Sequence, residues 1–146
     1  MDEFEIVTIV NRPVEDVFAA IVNFEKMPVW STGLSEVRQT SPAPLGVGST
    51  VVYVGRFLGR SFESASEYTE YLPNERIVTK TTSGPFHLEI TTSVETVDGG
   101  TKVTEHYRGE TRGFFRVAEP IAVRLAKRQF ENDSENLKTL LEENAL

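Results

Sequence analysis

The sequence predicts an α+β fold: a curved antiparallel β-sheet wrapped around one long C-terminal helix, with two short helices after the first strand. Two observations predict it. From Gly48 to Arg112 short alternating segments follow one another with turn residues between them, and beyond Gly113 the pattern changes to one helical stretch. Asp98-Gly99, between Val94-Glu95-Thr96-Val97 and Gly100-Thr101-Lys102-Val103-Thr104, is the strongest short-range hairpin signal in the chain. Leu58-Gly59, Pro73-Asn74-Glu75 and Gly84-Pro85 mark the other turns.

Phe4 to Val10 alternates as a strand, and Asn11-Arg12-Pro13 stops it and starts a helix with proline near its first position. Val14, Val17, Phe18 and Ile21 share one face of that helix. Phe24 to Trp30 reads as a second short helical segment interrupted by Pro28. A strand near Leu34 to Thr40 follows, then a loop at Ser41-Pro42-Ala43-Pro44-Leu45-Gly46. In the terminal helix Ile121, Leu125, Phe130, Leu137, Leu140 and Leu141 form the apolar stripe, with Pro120 at its start or at a kink. Its centre, Gln129, Asn132, Asp133, Ser134 and Asn136, is polar, either lining a cavity or facing water.

A chain of 146 residues is one domain's length. No apolar run reaches the roughly 20 residues of a membrane span, and residues 1–10 alternate rather than forming a signal peptide. There is no cysteine, so thiol and disulfide chemistry are excluded and a cytoplasmic address is expected. The net charge of −7 argues against nucleic acid or an anionic membrane as partner. Arg124, Lys127 and Arg128 lie at helical spacing to Glu131 and Glu135, which predicts a solvated, ion-paired face.

Pro13, Val17, Phe18 and Ile21, then Asn23, Phe24 and Trp30, resemble the opening of the START-like (SRPBCC) superfamily that includes polyketide cyclases. Glu67-Tyr68-Thr69-Glu70-Tyr71-Leu72-Pro73, Gly84-Pro85-Phe86, the segment 98–104 and Leu137-Lys138-Thr139-Leu140-Leu141-Glu142 continue that resemblance across the chain. It implies a single-domain helix-grip fold, shared by lipid carriers, hormone receptors and aromatase/cyclases, and therefore says little about which function is present.

The cavity-facing residues follow from register. A two-residue turn at Asp98-Gly99 pairs Val97 with Gly100, Glu95 with Lys102, Val94 with Val103 and Glu89 with Arg108. Leu88, Ile90, Thr92 and Val94 then face inward with Val103, Glu105, Tyr107 and Gly109. Through Gly84-Pro85 the same logic turns Thr79 and Thr81 inward and sets Lys80 against Glu89 outside. Phe62, Ser64, Ser66 and Tyr68, with Tyr53 and Phe57, line the remaining strands. Small hydroxyls among aromatic side chains leave space and predict a ligand pocket of roughly 300 to 1,000 Å³.

Glu105 stands out as a carboxylate on the inward face, where the resemblance implies a bulky apolar residue. It is a candidate general acid/base, or anchor for a ligand hydroxyl or amine, with Tyr107 beside it; a one-residue slip would instead send it to solvent. His87 and His106 fall on the solvent face, so no metal site is expected. No nucleophile elbow and no phosphate-cradling loop precedes a helix, so no cofactor is expected. The expected ligand is a small, largely apolar molecule, aromatic or cyclic, held by Trp30, Tyr53, Phe57, Phe62, Tyr68, Phe86, Leu88, Ile90, Ile121 and Leu125 with the hydroxyls of Ser64, Ser66, Thr79, Thr81 and Thr92. Arg56–Arg60 and Ser83–Phe86 are candidate gates at one end of the sheet. Three classes stay open: a binding or transport module, a polyketide cyclase/dehydratase using Glu105 and Tyr107, and a protein-interaction module with a vestigial cavity.

Overall fold

The computed structural model describes residues 2–111 and 119–146. Strand β1 (Asp2–Val10) is followed by helices α1 (Val14–Ile21) and α2 (Met27–Trp30). Strands β2 (Leu34–Gln39), β3 (Thr50–Phe57), β4 (Arg60–Leu72), β5 (Arg76–Ser83), β6 (Phe86–Val97) and β7 (Gly100–Thr111) come next, and helix α3 (Glu119–Glu142) ends the described chain. The strands form one antiparallel sheet in the order β1-β7-β6-β5-β4-β3-β2. Register shifts within β4, at Ala65/Ser66 and Tyr68/Glu70, bend that long strand. The sheet thereby curls round α3, the helix-grip arrangement.

Pro13 precedes α1 with φ −60 and its carbonyl accepts from Val17 N, so the ring's fixed dihedral opens the helix. Pro28 does not interrupt α2. It sits in the first turn, where its missing N–H has no partner to lose, and Phe24 to Lys26 form a turn ahead of it. The Asp98-Gly99 turn has φ 39 and 83, the left-handed pair that a two-residue hairpin requires. It sets Val94 opposite Val103, Glu95 opposite Lys102 and Glu89 opposite Arg108.

The β3–β4 turn uses the same conformation with an unfavourable residue. Leu58 holds φ 51, which a branched side chain adopts only against its own Cβ sterics. Leu58→Asn is expected to raise stability by about 1 kcal/mol, read as a higher denaturation midpoint; an unchanged or lower midpoint would mean that the strain is not there.

The core fills one end of the curl. Val10, Val17, Phe18, Val37, Val51, Tyr68, Ile77, Val94 and Val103 are buried together there, with Leu141 of α3 packed against them. The corner between β1 and α1 fixes the C-terminal end of α3: Asn11 N donates to Glu142 Oε2 at 2.8 Å and Lys138 Nζ to the Ile9 carbonyl at 2.6 Å. The Arg12 guanidinium also donates to the Glu142 carbonyl oxygen.

The inner face of α3 differs from the expected stripe in its first turns. Ala122 is buried, whereas Ile121 is 59% and Leu125 37% exposed. Ala122, Ala126, Phe130, Asp133, Leu137 and Leu141 follow the helical repeat: Phe130, Leu137 and Leu141 are the expected residues, whereas Ala122, Ala126 and Asp133 are small or polar ones that a search for large apolar side chains passes over. The expected ion pairs along the helix are absent too: among the described residues Arg124, Lys127 and Arg128 form none with Glu131 or Glu135, and all five side chains are exposed. Basic residues N-terminal to acidic ones are the weaker order on a helix.

Candidate functional site

Beyond the core, where α3 presents Ala122 and Ala126 instead of leucine, the sheet and helix do not meet and a cavity of about 260 Å³ remains. It is slightly below the size expected from the sequence. Trp30, Tyr53, Phe57, Phe62, Ser64, Ser66, Tyr68, Thr79, Thr81, Phe86, Leu88, Ile90 and Thr92 all line it, together with Glu105 and Tyr107. Ile121 and Leu125 do not, because they lie on the outer side of α3. Phe4, Met27, Ser31, Arg56, Arg108, Gln129 and Phe130 complete much of the wall. Phe4 is legible from the alternation of β1; Met27 opens a helix of one turn and Ser31 follows it, and neither carries a periodic signal.

Two features dominate the interior. Tyr107 forms a three-ring cluster with Phe4, at 4.9 Å and 19°, and Phe130, at 4.6 Å and 7°, the two phenylalanine rings themselves 6.3 Å apart. At the other end, Phe57 and Phe62 meet Phe86 edge-on at 5.9 and 5.1 Å, bringing the β3–β4 and β5–β6 turns together across the cavity.

Glu105 faces inward, as the register requires. Tyr107 Oη donates to its Oε2 and Ser134 Oγ to its Oε1, both at 2.8 Å. Burial pushes its carboxyl above the ordinary value, while the two hydroxyl donors pull the other way and the Asp133 carboxyl raises it further. Asp133, 3% exposed, accepts from Ser31 Oγ, Thr32 N and Thr32 Oγ1 at 3.2 Å each, tying the α2–β2 connection to α3; burial raises its pKa too. Burial pushes Tyr53 up to about 12 and Tyr107 well above its ordinary value.

The polar atoms sort into used and unused. Ser64 donates to the Ser83 carbonyl, and the Thr81 hydroxyl donates to the Leu88 carbonyl and accepts from Leu88 N, so these two serve the sheet. Gln129 lines the cavity, Asn136 donates to the Trp30 carbonyl at 3.2 Å, and Asn132 is exposed. Trp30 Nε1 is buried with no hydrogen-bond partner among the described residues, and the Tyr53 and Tyr68 hydroxyls form no hydrogen bond there. Of these, Trp30 Nε1 can only donate, while the tyrosine hydroxyls can donate or accept.

The histidines lie outside the cavity wall. His87 pairs across the strands with Glu110 and His106 with Thr91, and His106 Nε2 lies 3.3 Å from Glu3 Oε2. Among the described residues no group of three His, Cys, Asp or Glu side chains could hold a metal ion. No helix there is long and apolar enough to cross a membrane.

Residues 1–142 match the sequence family described as polyketide cyclase/dehydrase and lipid transport. No curated protein matches in sequence. Among solved structures, a START superfamily protein from Mycobacterium smegmatis superposes with a TM-score of 0.80 at 18% identity, covering 97% of each chain. A protein from Thermus thermophilus gives 0.75 at 18% identity over 99% of this chain and 97% of that one. The di-domain ARO/CYC StfQ from the steffimycin biosynthetic pathway gives 0.76 at 15% identity, over 98% of this chain and 51% of its own. At such identities the likeness concerns the fold alone.

Proposed function

This chain belongs to the polyketide cyclase/dehydrase and lipid-transport family, and from that premise we propose that it binds a small, largely apolar molecule with an aromatic or cyclic body between the sheet and α3. The observation that carries the reading is the cavity itself: about 260 Å³ walled by Trp30, Tyr53, Phe57, Phe62, Phe86, Tyr107 and Phe130, room for a compact ring system rather than a long acyl chain. The unpartnered donor at Trp30 favours a ligand carrying an acceptor oxygen, since a buried donor without a partner costs free energy that such a ligand restores, and the Tyr53 and Tyr68 hydroxyls in the same wall can donate or accept.

A second reading, a cyclase or dehydratase, is favoured by one observation. Glu105 is a buried carboxyl held from both sides by hydroxyls within the cavity wall, a suitable general acid/base, with Tyr107 in line to support it. In that reading the aromatic walls position the substrate and Glu105 moves the proton. A vestigial cavity in an interaction module is disfavoured because the space is open rather than filled by side chains.

Planar oxygenated ligands are expected to raise thermal stability. At about 100 times its dissociation constant a ligand adds roughly 2.7 kcal/mol. A panel of flavonoids, sterols and fatty acids should separate ring systems, which shift the midpoint, from straight chains, which do not. Native mass spectrometry of freshly purified protein should retain a small molecule; no shift from any compound and no retained mass would count against binding.

A further inference from the structure

We propose that the groove outside the cavity, between the β3–β4 turn and α3, is a binding site for an anionic group, carboxylate or phosphate, carried by the molecule whose apolar body fills the cavity. This rests on the binding reading above and adds the ligand's charge and its direction of exit.

Arg56, Phe57, Leu58, Gly59, Leu125, Arg128, Gln129 and Asn132 line the groove. Arg56, Phe57 and Gln129 line the cavity as well, so the two spaces adjoin at these three side chains. No carboxylate is among the described groove residues, although the chain carries 22 acidic against 15 basic side chains. The Arg56 guanidinium donates to uncharged acceptors, Ser61 Oγ at 3.1 Å and the Gly59 carbonyl at 2.8 Å. Arg128 forms no ion pair among the described residues. Two guanidiniums without counter-ions there, flanked by Leu58 and Leu125, suit the chemistry of a charged head joined to an apolar body. The strained Leu58, at φ 51, fits this account: a residue poorly suited to its turn contributes an apolar wall to the groove. The exposed Leu125, misplaced as a cavity residue, acquires a role on the same wall.

The test uses three probes with one ring system: 4-(1-naphthyl)butanoic acid, its primary amide, and 4-(1-naphthyl)butyl phosphate, titrated calorimetrically into the full chain at low ionic strength. The acid or the phosphate is expected to bind roughly fivefold to tenfold tighter than the amide, with the advantage shrinking as salt is added. Whichever anion gains more identifies the carboxylate or phosphate source. In Arg128→Gln, and further in Arg56→Gln with Arg128→Gln, that advantage should vanish. Equal affinities for all three in the wild type, or an advantage that survives both substitutions, would overturn the anion site while leaving the cavity reading intact. Binding of none of the three would overturn the cavity reading, and the anion site with it.

Discussion

Tyr107→Ala is expected to cost about 3 to 5 kcal/mol of stability, the usual penalty for truncating a buried aromatic ring. The ring is 6% exposed and packs against both Phe4 and Phe130, so its removal opens a void where strand β7 meets the helix that the two phenylalanine rings fill only in part. It also takes away one of two hydroxyls on Glu105, leaving a buried carboxyl with Ser134 alone. Tyr107→Phe separates these contributions. It keeps the stack and loses only the hydrogen bond, which should cost about 1.5 to 3 kcal/mol if Glu105 is ionised and less if it is protonated. Chemical denaturation of the two variants decides the matter: an alanine variant no less stable than the phenylalanine variant would mean that the stack contributes nothing and that the helix is held by its C-terminal corner instead.

The sheet was legible because its information is local. Asp98-Gly99 fixes a turn whose dihedrals only a few residues adopt, and once that turn is placed the period of two assigns every side chain on β6 and β7 to a face. Glu105, Tyr107, Thr92 and Ile90 are inward for that reason alone, and Lys80 comes to lie 3.8 Å from Glu89 on the outside. The helix was less legible because its partner was unknown. Ile121 and Leu125 are the large apolar residues of its first turns, yet the helix turns Ala122 and Ala126 to the sheet, the choice that leaves the cavity open. Periodicity weighs hydrophobicity, and a helix covering a cavity is selected for smallness as well. Asp133 illustrates the other gap: its partners Ser31 and Thr32 lie about a hundred residues away in sequence, and no local pattern announces such a contact. The helical pattern expected from just beyond Gly113 lies, as far as residue 118, outside the described residues.

Glu105→Gln should change the pH dependence of stability before any substrate is known. Burial raises the folded-state pKa of Glu105 above the 4.5 of a free glutamate side chain. The folded protein therefore binds this proton more tightly than the unfolded chain, and the group's contribution is fully present below the unfolded value and lost as pH rises through the folded one. In the wild type that loss should appear as a downward slope of the unfolding free energy above pH 4.5; in the glutamine variant the same slope should be shallower, leaving it relatively more stable at neutral pH. Asp133 shifts in the same direction and remains in both proteins, so the difference between the two curves reports Glu105. Under the cyclase reading, the variant should also lower turnover by a factor on the order of 100 to 10,000 with ligand affinity nearly intact, because glutamine keeps the shape and removes the proton transfer. Under the binding reading, affinity changes instead and no turnover exists to lose. Parallel stability curves in the two proteins would show that Glu105 titrates as it does in water, which removes the physical basis for both of its proposed roles.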